Sequence, residues 1–584
     1  MNSEKQQQHL TRILTNHIGY DCRAPKRAVM RTWQSQGEVP FALINDATGK
    51  AVFEGVMVEE GPVHKWRDWY FYSADFSECT QAGGYIIEAR LPFGKVQSAV
   101  FEIADHQLLK NTITDVLFYY KGQRHTGEVD AADREATFID DPNTTIDVHG
   151  GWNDASADWS KNLSHLNHSS YMNPNQAPMP VWTMLETVER LEGCDFVGTE
   201  ALLRRLREEA IYGADLLVRM QNPAGYFYEM AGYNRRTKKT MISDKTYGYG
   251  KEDKDTYQAG MRQGAGVTIA ALARIAAAEL PGDYTPELYL DAAIRGFAHL
   301  DAYNQEYLND GKENILDDYC GLLAATEIGL AMDDGVWLKK ARNRMESLTA
   351  RLCTNDQYTD WLRADDEGKR PYFHPSDEGL PVVALLRYLR LEKDSAHREK
   401  AIDAIRRFLK FQLAITGEVT NPFQYARQLV RDYSDTEFRA TFFQPHDNDT
   451  RYWWQGENAR IASIATSFAM ACADLKDDPQ LDREALLEKA LSQLNWVLGM
   501  NPFDACMMHG KGRNNKEFVY ECPNAPGGIY NGITAHPDDR EGICYLVDEH
   551  AHDFKNSWRW TEQWLPHTAW FMPAVALLSR AMEK

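Results

Sequence analysis

Two carboxylates lie close together about a quarter of the way along the chain, in the segment Asp147-Val-His-Gly-Gly-Trp-Asn-Asp-Ala-Ser-Ala-Asp-Trp-Ser-Lys161. Asp154 and Asp158 are four residues apart, and the Gly150-Gly151 pair before them lets the backbone turn sharply. Two such acids can hold and deprotonate a water molecule. An isolated Asp-x-x-x-Asp is usually a solvated turn or a helix cap. The neighbouring tryptophans instead indicate a shaped, partly apolar cleft.

A third carboxylate stands near the C-terminus, in Trp558-Arg-Trp-Thr-Glu-Gln-Trp564. A glutamate before a helix is usually there because the helix dipole favours it. Flanked by tryptophans, Glu562 can also lose its water, which raises a carboxyl pKa and keeps the group protonated. A general acid at Glu562 facing a water-holding pair at Asp154 and Asp158 is therefore chemically coherent.

Two other clusters are candidates for binding rather than for proton transfer. Trp453-Trp-Gln-Gly-Glu-Asn458 leads into a predicted helix and is either a packed loop with a cap or an aromatic wall. Ala535-His-Pro-Asp-Asp-Arg540 is dense in acids and contains a histidine. Because the chain has no tight His/Cys ligand spacing there, we predict no metal site and no cofactor, and we place no structural calcium on named residues.

Composition narrows the class of protein. The chain has 584 residues and a formal net charge of −21, with acidic residues spread along it. Such a surface repels nucleic acid and anionic membranes, and no apolar run is long enough to cross a bilayer. We therefore expect no nucleic-acid or membrane partner. The sequence does not indicate an oligomeric state.

Cysteine usage and the N-terminus bear on the compartment. Nine cysteines without a CxxC pair or regular spacing argue against a disulfide framework. The first ten residues are polar and lack the apolar centre of a signal peptide. We expect a cytoplasmic protein.

The hydrophobic pattern divides the chain in two. Residues 1–105 contain short alternating segments typical of a β-sandwich. Residues 106–584 contain twelve helical patterns, near 107–121, 178–192, 201–220, 265–279, 286–303, 318–332, 336–353, 379–392, 398–415, 457–475, 483–499 and 566–583. Twelve helices without strands between them predict a double-layered α/α toroid. Three long loops, 122–177, 221–262 and 500–565, remain, and loops of that length are usually functional.

Several motifs together resemble glycoside hydrolase family nine, the cellulase family. Asn16-His-Ile-Gly-Tyr20 resembles the opening strand of its immunoglobulin-like domain, and Asp147 to Ala155 resembles its Asp-x-x-Gly-Gly-Trp-x-Asp-Ala signature. Trp496-Val-Leu-Gly-Met-Asn-Pro502 resembles a late helix-end motif, and Glu562 stands where the family has its acid. The motifs follow the family's order along nearly the whole chain.

The resemblance implies an immunoglobulin-like β-sandwich followed by an (α/α)6 barrel, and an inverting hydrolase of β-1,4 glycosidic bonds. Glu562 would protonate the leaving oxygen while Asp158, helped by Asp154, activates water on the other face of the sugar. An inverting enzyme keeps these groups roughly 6.5–9.5 Å apart to admit that water. The substrate contacts expected are His536, Asp539, Arg540, Trp453 and Trp152.

Two departures from the family's cellulases affect the expected substrate. The family's aspartates are usually three residues apart rather than four, which leaves open which of Asp154 and Asp158 is the base. Acids also stand at Asp538 and Asp539, where a second histidine is common. The pattern is most similar to the family's intracellular exo-β-D-glucosaminidases. Glucosamine disaccharide and other chitosan oligosaccharides, whose amine a carboxylate can pair with, are the expected substrates.

Three alternatives stay open. The nearest is a cellodextrinase or endo-β-1,4-glucanase with the same chemistry. A non-catalytic sugar-binding protein is a second, although the three carboxylates argue against it. A terpenoid cyclase on an α/α toroid is the third, and Asp317-Asp318 is too small a match to its acidic motifs.

Overall fold

The N-terminal part of the chain is a β-sandwich of two sheets. The computed structural model describes residues 10–156, 158–194, 196–243, 257–518, 524–547 and 550–583. The sandwich strands are β1 (Arg12–Leu14), β2 (Tyr20–Asp21), β3 (Arg27–Thr32), β4 (Pro40–Asn45), β5 (Ala51–Val56), β6 (Val58–Gly61), β7 (Tyr70–Asp75), β8 (Gly83–Leu91), β9 (Gly94–Gln97) and β10 (Phe101–Ala104). One sheet has the order β1-β3-β7-β6, and the other has the order β2-β10-β8-β4-β5 with β9 beside β8.

Alternating residues from both sheets form the sandwich core. The rings of Tyr20, Phe76 and Phe101 meet there with centroids 5.3–5.6 Å apart, two of the three contacts being edge to face. The last strand ends at Ala104 and the first long helix begins at Gln107. The predicted domain boundary lies between these two elements.

The rest of the chain is mainly helical. Its helices are α1 (Gln107–Gln123), α2 (Glu128–Asp133), α3 (Pro178–Leu191), α4 (Thr199–Arg219), α5 (Gly266–Ala277), α6 (Pro286–Tyr307), α7 (Ile315–Met332), α8 (Gly335–Thr349), α9 (Leu380–Leu391), α10 (Ser395–Gly417), α11 (Asn458–Asp474), α12 (Arg483–Val497), α13 (Phe554–Thr561) and α14 (Leu565–Ala581). A single π-helical turn, Met261–Ala265, leads into α5.

Six of these helices form a closed inner ring. The order α3-α5-α7-α9-α11-α14 returns to α3, and each helix packs on the next. Nearly every residue of α5, α7 and α11 is buried, because an inner helix has neighbours on all sides. Helices α1, α4, α6, α8, α10 and α12 lie outside this ring. The sandwich followed by a double-layered helical barrel confirms the predicted fold class.

The prediction that strands are absent between the helices is wrong. Eleven short strands lie among the described loops: β11 (Ala136–Phe138), β12 (Thr145–Ile146), β13 (Ser160–Asn162), β14 (Met230–Asn234), β15 (Lys239–Ser243), β16 (Leu352–Cys353), β17 (Trp361–Leu362), β18 (Gln428–Arg431), β19 (Phe438–Thr441), β20 (Thr534–His536) and β21 (Asp539–Cys544). The first two long loops share one sheet, ordered β12-β11-β15-β14-β13. Strands of two to six residues are too short to give a clear period in the sequence.

Candidate active site

The glycine pair shapes the loop that carries the two aspartates. Both glycines have positive φ, 92° at Gly150 and 77° at Gly151. A Cβ on Gly151 would lie 2.3 Å from Cδ2 of Leu216 in helix α4. Only glycine lets the loop approach α4 this closely. Any other residue would have a strained backbone at this φ and a Cβ that collides with Leu216.

Trp152 anchors this loop but does not reach the cavity described below. Its side chain is fully buried, and its indole nitrogen donates a 2.8 Å hydrogen bond to Oε1 of Glu209. Its ring fills the space left by Gly213 in α4, where an added Cβ would come within 2.3 Å. We therefore correct the predicted role of Trp152 from a sugar contact to a support of the loop.

A buried charge cluster supports the end of the same segment. The Nζ atom of Lys161 donates to Oδ2 of Asp133 at 2.6 Å and also to the carbonyl of Val148. Asp133 is bonded as well by Nδ1 of His125, at 2.7 Å. Burial lowers the pKa of Lys161, while the nearby Asp133 opposes that effect. The cluster ties the loop to α2, whose last residue is Asp133.

The two acidic segments, some four hundred residues apart in sequence, are hydrogen-bonded to each other. The amide of Ser156 donates to the carbonyl of Gln563 at 3.0 Å, and the amide of Gln563 donates to Oγ of Ser156 at 3.0 Å. The amide of Leu565, at the start of α14, donates to the carbonyl of Asp154 at 3.2 Å. These bonds set Glu562 at a fixed position relative to the aspartate loop.

Asp154, Asp158 and Glu562 line one small cavity, of about 50 Å³, which we call the catalytic cavity. The structure therefore brings the three predicted carboxyl groups together. Six further residues complete its wall: Ala155, His165, Leu166, Trp453, Gln455 and Trp564.

Glu562 is held in a setting that disfavours its charged form. It follows directly on α13, and the amide of Asn531 donates to its carbonyl at 2.9 Å. Loss of water raises the pKa of Glu562 well above its usual value, and the charges of Asp158 and Asp154 raise it further. These effects favour the protonated form of the carboxyl group, which is the form that can donate a proton.

Asp154 is a buried acid beside a histidine. Its side chain is 1% exposed, and Oδ2 lies 3.5 Å from Nδ1 of His165. Burial raises the pKa of Asp154, while His165 opposes that rise and the charge of Asp158 adds to it. Within the described part of the chain, Oδ1 of Asp154 is buried and has no hydrogen-bond partner.

The side chain of Asp158 is held in place by the strand that follows it in the sequence. Its Oδ1 accepts hydrogen bonds from the amide and from the hydroxyl of Ser160, at 2.9 and 2.6 Å. Ser160 is the first residue of β13, so the strand fixes the carboxylate in the cavity. The two hydrogen bonds fix the orientation of the carboxylate toward the cavity.

Two tryptophans form the apolar part of the wall. The rings of Trp453 and Trp564 are 6.0 Å apart with planes inclined at 60°. The amide of Trp453 is fixed by Oγ1 of Thr450 at 2.8 Å. The position of Trp453 agrees with a sugar contact, because the flat apolar face of a sugar ring packs well on an indole.

The other three predicted contacts, His536, Asp539 and Arg540, do not line the catalytic cavity. Arg540 pairs with Asp432, and Asp539 pairs with Lys65 of the sandwich. His536, on the same β20–β21 hairpin, has a partly exposed side chain. Asp539 and Arg540 thus have protein partners, and none of the three residues lines the catalytic cavity. Their role as sugar contacts stays a prediction.

His165 is one of two polar residues of this cavity that were not predicted from the sequence. It lies seven residues after Asp158 in the polar stretch Ser164-His-Leu-Asn-His168, which has no recognised motif. The available signal was a histidine a few residues beyond a paired acid. Gln455 was missed as well, although it stands in the tryptophan cluster that was singled out.

Other features bear on cofactors and partners. Among the described residues, no group of three His, Cys, Asp or Glu side chains is arranged to hold a metal ion. The eight cysteines that the structure describes are free thiols. None of the described helices combines the length and the apolar character needed to span a bilayer.

The fold is a β-sandwich followed by a helical barrel, and three carboxyl groups line its candidate site. The family model for glycosyl hydrolase family 9 matches residues 110–526, and the model for the cellulase N-terminal ig-like domain matches residues 8–91. The chain belongs to glycosyl hydrolase family 9 and is an O-glycosyl hydrolase. Glu562 lies beyond the matched residues, so its place in the site rests on the geometry above.

Comparisons with individual proteins are consistent with membership of this family. The chain is 28% identical over 156 residues to a cellodextrinase of Butyrivibrio fibrisolvens, a match that covers 25% of this chain and 27% of that relative. It thus spans about a quarter of the length of the curated relative that it matches. A metagenome-derived family 9 endoglucanase has the same fold at 18% identity, with a TM-score of 0.67 over 98% of this chain and 100% of the other. The family 9 endoglucanase J30 superposes with a TM-score of 0.64 at 20% identity, over 96% and 99%.

Proposed function

We propose that this protein is an inverting hydrolase of β-1,4-linked gluco-oligosaccharides, acting on short cellodextrins. Glu562 is the general acid and protonates the leaving glycosidic oxygen. Asp158, helped by Asp154, removes a proton from the water that attacks the anomeric carbon from the opposite face. The placement of Glu562, Asp154 and Asp158 around one cavity is the observation that carries the proposal.

The surroundings of the three carboxyl groups fit these roles. An inverting mechanism needs one protonated and one ionised carboxyl group at the same pH. The raised pKa of Glu562 suits the acid, and the two hydrogen bonds from Ser160 suit Asp158 as the base. Asp154 lines the same cavity and can assist Asp158. The cellodextrinase and endoglucanases named above support glucose units as the sugar.

Hydrolysis of cellobiose and cellotriose by the purified chain tests the proposal. We expect glucose release by the wild type and its loss in Glu562→Gln, which keeps the shape of the side chain but cannot donate the proton. Hydrolysis of neither sugar, or full activity of Glu562→Gln, would reject it.

A second candidate is exo-β-D-glucosaminidase activity on chitosan oligosaccharides such as glucosamine disaccharide. It is supported by the composition of the catalytic cavity, in whose described wall three carboxyl groups outnumber the single basic side chain, His165. A cationic amine is favourable in such a site, whereas glucose gains nothing from it. Comparing kcat/KM for glucosamine disaccharide and cellobiose separates the candidates, because a strong preference for either sugar rejects the other reading.

A further inference from the structure

The backbone that carries Glu562 is hydrogen-bonded to a separate segment of the third long loop. The amide of Gly532 donates to the carbonyl of Trp560 at 2.8 Å, and the amide of Asn531 donates to the carbonyl of Glu562 at 2.9 Å. The side chain of Glu562 lines the catalytic cavity. The segment that contains Asn531 therefore fixes the peptide of Glu562 from behind, while the carboxyl group reaches the cavity.

Asn531 also holds the helix from which Glu562 emerges. Its Nδ2 atom donates to the carbonyl of Trp558 in α13 at 2.6 Å, and the amide of Glu562 donates to the same carbonyl at 3.3 Å. Asn531 is completely buried. A Cβ on Gly456 would lie 2.0 Å from the carbonyl oxygen of Asn531, so the backbone of Asn531 has no room to move toward that side.

His567, the third residue of α14, fixes the side chain of Asn531. Its Nε2 atom lies 2.7 Å from Oδ1 of Asn531. Because Nδ2 of Asn531 donates to the carbonyl of Trp558, Oδ1 is the acceptor and Nε2 of His567 carries the hydrogen. Burial lowers the pKa of His567 to about 3, so the ring is neutral and has one N–H to give. Without this donor, Oδ1 of Asn531 would be a buried acceptor whose hydrogen bond is unmade, which is costly.

We propose that Asn531 and His567 are positioning residues for the general acid, and that they hold Glu562 where its carboxyl group meets the leaving glycosidic oxygen. The inference rests on the proposed function, because it concerns the proton donor of that reaction. Neither residue lines the catalytic cavity, so both act through Glu562 and not on the sugar. Proton transfer depends steeply on distance, and a misplacement of about 1 Å can cost about 10²-fold in rate.

Two substitutions of His567 separate its hydrogen bond from its bulk. His567→Phe keeps a flat ring but has no donor for Asn531. His567→Gln has an amide nitrogen in the region of Nε2 and can still donate. Ser579→Ala is the matched control, because it removes a 2.6 Å hydrogen bond with Nδ1 of His106 near the other end of α14 and does not line the catalytic cavity.

The measurement is kcat and KM on two substrates of the same sugar. One is cellobiose or glucosamine disaccharide, whichever the wild type cleaves faster, and the other is the corresponding nitrophenyl β-glycoside. We expect His567→Phe to lower kcat on the disaccharide roughly ten- to hundredfold, with KM within about twofold of the wild type. The loss on the nitrophenyl glycoside should be at least several-fold smaller, because its leaving group needs little protonation. His567→Gln and Ser579→Ala should stay within about twofold of the wild type on both substrates.

Asn531→Ala covers the case that His567→Phe does not fold. It removes the side-chain bonds to His567 and to the carbonyl of Trp558 but keeps the amide that donates to Glu562, and the same difference between substrates is expected. Equal losses on both substrates, equal losses in His567→Gln and His567→Phe, or unchanged kcat overturns the positioning role while the proposed function stands. Absence of disaccharide hydrolysis by the wild type overturns the proposed function itself.

Discussion

The Nδ1 atom of His165 lies 3.5 Å from Oδ2 of Asp154, and both side chains line the cavity that holds Asp158 and Glu562. Burial alone would lower the pKa of His165, but the hydrogen bond and charge of Asp154, with the charge of Asp158, raise it. Asp154 thus favours the charged form of His165, and His165 in turn opposes the rise that burial causes in the pKa of Asp154.

Replacing His165 should change the pH dependence of the reaction. His165→Asn removes the group that lowers the pKa of Asp154, so that pKa rises and the acidic limb of the kcat/KM profile moves to higher pH. The remaining titratable groups facing the cavity, Asp158 and Glu562, are unchanged. The measurement is kcat/KM against pH for wild type and variant.

The control for this prediction is His149→Asn. His149 pairs with Asp147 outside the catalytic cavity, so its removal should leave the acidic limb in place. An unshifted limb in His165→Asn, or an equal shift in both variants, contradicts the role given to His165.

Glu562→Gln should lower kcat by about 10²–10⁴-fold on oligosaccharides, the usual contribution of a general acid. A substrate with an activated leaving group, such as a nitrophenyl glycoside, needs less protonation and should lose less. The comparison of the two substrates is the measurement, and an equal loss on both would contradict the assignment of Glu562 as the acid.

The same substitution should raise stability at alkaline pH. Because the folded-state pKa of Glu562 is raised, the neutral form is the one that the fold favours. Its contribution to stability is complete below the unfolded-state pKa and is lost as pH rises through the folded-state value. Glutamine is neutral throughout, so Glu562→Gln should melt above the wild type at about pH 8 and close to it near pH 4. A lower melting temperature of the variant at the higher pH would contradict this.

Gly151→Ala should destabilise the protein and reduce activity together. The substitution places a Cβ at a φ of 77° and 2.3 Å from Leu216, at a cost of about 2 kcal/mol or more. Thermal unfolding and cellobiose hydrolysis are measured. Gly122→Ala, at an exposed position of α1 with open space around it, is the matched control and should be neutral or slightly stabilising.

Two tryptophan variants separate support from binding. Trp152→Phe removes the donor to the buried carboxylate of Glu209, so it should cost about 1–3 kcal/mol of folding free energy and leave KM nearly unchanged. Trp453→Ala removes part of the cavity wall and should raise KM with a smaller effect on stability. A raised KM in Trp152→Phe would restore Trp152 as a sugar contact.

The long helices, and the three acids that line one cavity, could be predicted from the sequence because each has a local signal. A helix of a barrel layer carries a long periodic pattern, so all twelve predicted helices are found in the structure. The glycine-tryptophan motif and the tryptophans around Glu562 mark unusual backbone and unusual desolvation, which residue types alone can signal. Asp154 and Glu562 could be paired because each carries its own local signal.

The features that could not be predicted from the sequence depend on contacts between segments that are distant along the chain. Trp152 stands beside an acid in sequence, but its ring turns toward Gly213 in another helix, which no local pattern reveals. Arg540 is engaged by Asp432, more than a hundred residues away. The β14–β15 hairpin completes a sheet with strands from another loop, so this sheet could not be predicted from either loop alone.

The stereochemistry of the first product tests the central claim most directly. If water held by Asp158 and Asp154 attacks opposite the proton donated by Glu562, each cleavage of a β-linkage inverts the anomeric carbon. Proton NMR of a reaction followed from its first minutes should show the α-anomer of the released sugar before mutarotation mixes the forms. First appearance of the β-anomer would contradict the assignment of the aspartate pair as water-activating.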